Sequence, residues 1–187
     1  GLASRAYLRN FSNMEEHVTV VEGRMTGGNV STQPQGPKIE AVVSSVTADM
    51  FDLSVNDTLV LAADIGNSAR VLVEVVGLIA ATDPNEDYWT PDAPTYLDPR
   101  APEGDSIDYP VVFDTEWPPL PLFVDRDAMI EAVNAAYPLT LIDSIWFIRV
   151  EADDLKKLSV REFEDRLKEF ENEIAEFMPG SEAFTGI

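Results

Sequence analysis

Short runs of Val and Ile separated by turn residues dominate the first half of the chain. His17-Val18-Thr19-Val20-Val21 is a β-branched run closed by Glu22-Gly23, and Ile39 to Val43 is a second; both predict strands. Between them, residues 26–37 collect Gly27, Gly28, Pro34, Gly36 and Pro37 among Asn, Ser and Gln, which predicts a surface loop. Val46 to Phe51 has room for one or two helical turns, with Thr47 as its cap. Leu59-Val60-Leu61 and the run from Val71 to Ile79 flank Gly66-Asn67, a pair able to supply positive φ, so a hairpin is expected. Its second arm has Val at 71, 73, 75 and 76 and alternates weakly, the mark of a central strand covered on both faces.

The pattern changes after residue 80. Pro84, Pro91, Pro94, Pro99, Pro102 and Pro110 fall among many Asp and Glu, and prolines at that density cannot sustain a ladder or a helix, so residues 80–110 read as an acidic, Pro-rich loop. Short strands are expected at Val111 to Phe113, Leu120 to Val124 and Ile145 to Val150. Asp125 caps a helix over about 126–137, with Met129, Ile130, Val133 and Tyr137 on one face and Pro138 stopping it. Ser159 and Glu162 form a capping box for a second helix over about 159–178. Its apolar stripe, Val160, Phe163, Leu167, Phe170, Ile174 and Phe177, advances by alternate steps of three and four; packing on a sheet is the first reading and a partner-helix interface the second. Together these elements predict an α+β fold: a mixed, mainly antiparallel sheet with a β-rich middle and packed helices.

Composition narrows the function classes. The 187 residues carry 13 basic and 34 acidic side chains, a formal charge of −21, which repels phosphate backbones and anionic headgroups and argues against a nucleic-acid partner. The absence of Cys removes disulfides, thiolate-bound zinc and thiol catalysis. Residues 1–14 reverse the sign, with Arg5 and Arg9 but no acid, beside Leu2, Tyr7, Leu8 and Phe11. They read either as an amino-terminal helix, frayed or docked, or as a juxtamembrane stalk over residues 1–16, since basic and aromatic residues suit the headgroup level.

Candidate chemistry is sparse. His17 is the only histidine, so two-histidine metal sites are excluded by count, and its place beside Glu15 and Glu16 predicts a surface ion pair or a hydrogen-bonded edge residue. Asp83, Asn85 and Asp87 alternate as calcium ligands do, but neither the turn Gly nor the closing Glu of an EF-hand loop follows. Gly27-Gly28 lacks the Lys of a phosphate loop, and Asn10, Asn29 and Asn56 head acceptor triplets for glycosylation, a pattern that chance also produces. The residues therefore assign no catalytic, cofactor-binding or metal site and predict no enzyme.

Five stretches in order carry a resemblance: His17-Val18-Thr19-Val20-Val21-Glu22-Gly23-Arg24; Glu40-Ala41-Val42-Val43 followed by Thr47-Ala48-Asp49-Met50-Phe51; Leu53-Ser54-Val55-Asn56-Asp57-Thr58-Leu59-Val60-Leu61; Val73-Glu74-Val75-Val76-Gly77-Leu78; and Asp83-Pro84 with Tyr88-Trp89. Over residues 17–178 they resemble the extracytoplasmic domain of FtsX-like, MacB-type ABC transporter permeases. Asn56 stands where that family usually has Gly, a replacement tolerated because Asn accepts positive φ. The resemblance implies a domain between two membrane helices, with residues 179–187 leading toward the second. It also implies placement on the extracytoplasmic face of the membrane, a cytosolic ATPase subunit as partner, a second permease copy, and a mechanical or substrate-gating role without catalytic residues or cofactors. A free-standing extracytoplasmic binding protein is the alternative.

Overall fold

The structure is a computed structural model that describes residues 5–62, 69–89, 97–98, 119–138 and 159–177. The chain divides into two compact units, Gly1–Leu141 and Ile142–Ile187. The first is built on seven strands among the described residues: β1 (Ala6–Arg9), β2 (Val18–Gly23), β3 (Ser31–Gln33), β4 (Gly36–Ser44), β5 (Thr58–Leu61), β6 (Val71–Ala81) and β7 (Leu120–Val124). They form one mixed sheet, mostly antiparallel, in the order β1-β7-β4-β6-β2, with β3 also pairing β4 and β5 also pairing β6. The expected α+β class is the one observed.

β4 and β6 are the axis of this sheet. They run parallel from Lys38↔Leu72 to Ser44↔Ile79. The other side of β6 is shared by two strands: β5 pairs antiparallel with Val71 to Glu74, and β2 pairs antiparallel with Gly77 to Ala81. The central, doubly covered strand expected at 71–79 is therefore β6, two residues longer than its apolar run.

Alternation sorts the side chains into two layers. Ile39, Ala41 and Val43 of β4, Val71, Val73 and Val75 of β6, and Leu120, Leu122 and Val124 of β7 point to one face, where they meet helices α1 (Ser45–Phe51) and α2 (Arg126–Ala136). On the opposite face Val42, Val76, Ile79 and Phe123 pack with Met14, Val18 and Trp89 into a second, smaller core. Burying each such Val, Leu or Ile contributes about 1.5–3 kcal/mol, so the two layers supply the main driving force for this unit.

The helices differ from expectation in detail. The cap of α1 is Ser44, whose Oγ accepts from Thr47 N at 3.0 Å; Thr47 itself is buried in the first turn. Asp125 caps α2 as expected, its Oδ1 accepting from Asp127 N and Ala128 N, each at 3.0 Å. The buried stripe of α2, however, is Ala128, Ala132 and Val133, with Met129 and Tyr137 at its flank. Small residues let the helix axis approach the sheet, so the larger side chains are displaced to the margin. Tyr137 Oη then reaches the backbone carbonyl of Leu61, at 3.1 Å.

Two more expectations are corrected. Residues 6–9 form a strand parallel to β7, with Ala6 and Leu8 against the core, and not a helix. The predicted loop 26–37 contains β3, which pairs with the first residues of β4. Gly66-Asn67, the strands expected at 111–113 and 145–150, most of the acidic Pro-rich stretch and residues 179–187 lie outside the described residues.

The second unit contains helix α3 (Val160–Phe177), opened by the capping box. Ser159 N and Oγ donate to Glu162 Oε2 at 2.8 and 2.6 Å, and Glu162 N donates to Ser159 Oγ at 3.3 Å. These two bonds from Ser159 hold the Glu162 carboxyl below the ordinary carboxylate value. Val160, at the start of the apolar stripe, is 77% exposed. Among the described residues no helix is long and apolar enough to cross a membrane.

The change of partner along β6 depends on two glycines. Gly23 has φ +74° and pairs with Gly77, and a methyl group on either would stand 2.2 Å from a backbone carbonyl oxygen, that of Val76 or Arg24. Gly23→Ala should therefore lower stability by about 2–3 kcal/mol, combining a disfavoured φ with a backbone clash. Urea unfolding measures this, and an Ala variant as stable as the parent would show that the two backbones do not meet there.

Candidate functional site

Charged residues inserted into apolar strands mark a polar, half-buried part of the second face. Lys38 and Glu40 alternate with Ile39 and Ala41 in β4, and Glu74 interrupts the valines of β6. The parallel register sets Glu40 directly opposite Glu74. Like charges so placed destabilise a sheet unless neutralised.

Two cations neutralise them. Lys38 Nζ lies 2.9 Å from Glu74 Oε2. Arg24, just past the end of β2, forms a two-pronged pair with Glu40: Nη1 to Oε2 at 2.7 Å and Nη2 to Oε1 at 2.5 Å. The Gly27 amide adds a third donor to Glu40, at 2.8 Å. The Arg24 hydrogen bond is the largest influence on Glu40 and holds its carboxyl below the ordinary value; the Gly27 amide and the charges of Arg24 and Lys38 act in the same direction, and partial burial opposes them. Glu40 is thus an ionised acceptor at neutral pH. It is not poised to exchange a proton there.

Beside this plaque lies an open depression of about 360 Å³ lined by Gly23, Arg24, Val55, Asn56, Glu74 and Val76. It sits where β6 changes partner. The 54–57 turn continues the β5 side of the ladder there, with Asn56 N donating to Val75 O at 2.7 Å and Val75 N to Asp57 O at 2.8 Å. Asn56 has φ +77°, the left-handed conformation its position requires. Arg24 N donates to Val76 O at 2.9 Å and closes the other rim. The depression can receive a polar side chain or small polar group between a guanidinium and a carboxylate.

A second cluster crosses the apolar end of the same face. His17 Nδ1 lies 3.0 Å from Glu86 Oε2, and its ring stacks on Tyr88 with centroids 3.6 Å apart. Tyr88 Oη donates to Ser12 O at 2.8 Å. Burial first, then the charges of Glu15 and Glu86, push the Tyr88 phenol up to about 12, so it stays a protonated donor. His17 therefore has a carboxylate neighbour at the strand entrance, in keeping with the expected ion pair or hydrogen-bonded edge residue, but that neighbour is Glu86 and not the adjacent Glu15 or Glu16. The cluster fastens the 82–89 segment to the start of β2.

The remaining candidates have local roles. Asp83 Oδ1 accepts from Asn85 N at 2.9 Å, which occupies a carboxylate oxygen of the proposed calcium pattern within its own turn. Asn10 Nδ2 donates to Val124 O at 2.9 Å. Gly27 and Gly28 face carboxylates, those of Glu40 and Asp125, and not an anion-binding nest. Sequence reasoning did not assemble the Arg24–Glu40 and Lys38–Glu74 pairs. The signal for them was the alternation of charge with Ile, Ala and Val in two neighbouring strands.

No protein-family model, curated protein or solved structure matches the chain.

The lowered carboxyl of Glu40 fixes the direction of a pH effect. The folded chain binds fewer protons there than the unfolded chain, so the pair's contribution is complete above the usual Glu value of 4.5 and is lost as pH falls through the folded value. Between neutrality and about pH 3, the urea midpoint of the native chain should fall more steeply than that of Glu40→Gln. Parallel profiles for the two proteins would show that the pair does not contribute.

Proposed function

We propose that residues 17–178 are the extracytoplasmic domain of an FtsX-like, MacB-type permease subunit. In this reading an ABC ATPase on the cytosolic side drives membrane helices that continue from the domain, and the domain transmits that motion to export a substrate, extract it, or engage a partner outside the membrane. A second permease copy completes the transporter. The domain is a mechanical part and performs no bond chemistry.

The observation that carries this reading is the Leu53–Leu61 turn. Asn56, at the position where the resembling family has Gly, takes φ +77°, and its neighbours are bonded into β6. The other resembling stretches also fall in fitting elements: the Val-Glu-Gly-Arg corner ends β2, Glu40 to Phe51 is strand followed by short helix, and Val73 to Leu78 lies in β6. A sheet with a core on one face throughout and a second core at one end suits a body that must move without deforming. The alternative, a free-standing extracytoplasmic binding protein, draws on the depression beside Arg24, but an enclosed apolar cavity is the usual form of a small-molecule site and this one is open and largely polar.

The encoding reading frame tests the proposal. It should continue on each side into an apolar segment of about 20 residues, and the full-length protein should stay in membranes after an alkaline wash and co-purify with an ATPase subunit. A frame with a secretory signal before the domain and a stop codon after it would overturn the reading.

A further inference from the structure

Among the described residues, the side of the sheet formed by β5 and β2 is a composite strand edge. Both strands run antiparallel to β6 on its one side, and β4 occupies the other along nearly its whole length. Reading along β6, the edge therefore passes from Leu61 back to Thr58, across the Asp57–Asn56 turn, and then from Gly23 back to Val18. The eleven residues of β6 give it a length of about 35 Å at roughly 3.3 Å per residue.

Among the described residues of this unit, the exposed large apolar side chains lie on that edge: Val20 at 37%, Val21 at 59% and Val60 at 60%. Val60 pairs with Leu72 and Val20 with Ile79, so both lie on the face that carries the depression. An exposed strand edge has backbone donors and acceptors with no strand beside them and is a template for one more strand.

Charge and register choose the occupant. Glu15, Glu16, Glu22 and Asp57 lie along or beside the edge and are exposed. Two cations of the same face, Arg24 and Lys38, are already paired with Glu40 and Glu74. A second copy of this chain would bring another −21 charge against the edge. The bulge at Val21 also breaks the ladder on the β2 half, a device that blocks open-ended self-pairing while leaving the β5 half straight.

We propose that this edge binds an extended basic peptide segment of a partner protein, which adds a strand against Thr58–Leu61 and places one polar side chain in the depression between Arg24 and Glu74. The inference does not depend on the transporter reading.

The test uses the whole 187-residue chain and three synthetic peptides of about eight residues, an ordinary strand length: one alternating Lys and Val, one with Glu for each Lys, and the Lys peptide with a central Pro. The Lys peptide should bind and shift the amide resonances of Thr58–Leu61. The Glu and Pro peptides should bind at least roughly tenfold more weakly, the first from charge and the second from the lost ladder bond. Val60→Lys alters an exposed side chain, and it should weaken the Lys peptide without moving the melting temperature. Equal binding of the Lys and Glu peptides, undiminished binding of the Pro peptide, no binding of the Lys peptide, or a concentration-dependent dimer that Val60→Lys dissolves would each overturn the proposal.

Discussion

One strand has to satisfy three neighbours. β6 gives one side to β4 and divides the other between β5 and β2, and the division is possible only because Gly23 and Gly77 let two backbones meet where a Cβ on either would strike a carbonyl oxygen. The consequence reaches the rest of the unit. Val75 pairs with Ala41 and Gly77 with Val42, so Val76 is an extra residue, and the alternation of β6 changes phase there. Leu78 is thereby directed to the helix-covered core and Ile79 to the smaller one. Without that change of phase, an apolar strand of this length would set Leu78 and Ile79 on the wrong faces.

The same change of partner positions the polar features. Where β2 leaves the sheet, Arg24 turns back over the face and answers the like-charge pair of Glu40 and Glu74, with Lys38 completing the balance. The polar half of the face is consequently a neutralised plaque with a depression at its rim, and the other half is an apolar core closed by Trp89 and by the stacked His17 and Tyr88. Both halves are anchored to β6.

What was legible in the sequence had a local cause. The capping box at Ser159 and Glu162, the Asp125 cap, and β6 as a central strand follow from spacing or side-chain type over a few residues. The errors arose where tertiary contact decided. Thr47 was the expected cap of α1, but it is drawn into the core and Ser44 takes that role. In α2 the Met and Ile stripe looked the more apolar, but close approach to the sheet selected the alanines. β1 is short and isolated in sequence, and only its partner β7, more than a hundred residues on, makes it a strand. Glu86 as the partner of His17 was unreadable for the same reason, since a contact between distant segments leaves no local spacing; the alternation of charge in β4 and β6 marks Glu40 and Glu74 but does not name Arg24 as a partner.

Native-state hydrogen exchange tests the central claim that β6 is a single unbroken support. The amides of Val71–Val75 and of Leu78–Ala81 should exchange slowest in the first unit and with one common free energy, equal to that of its global unfolding. If the half paired with β2 opens at a clearly lower free energy than the half paired with β5, the change of partner at Gly77 is a hinge. The account of a rigid, motion-transmitting body would then fail.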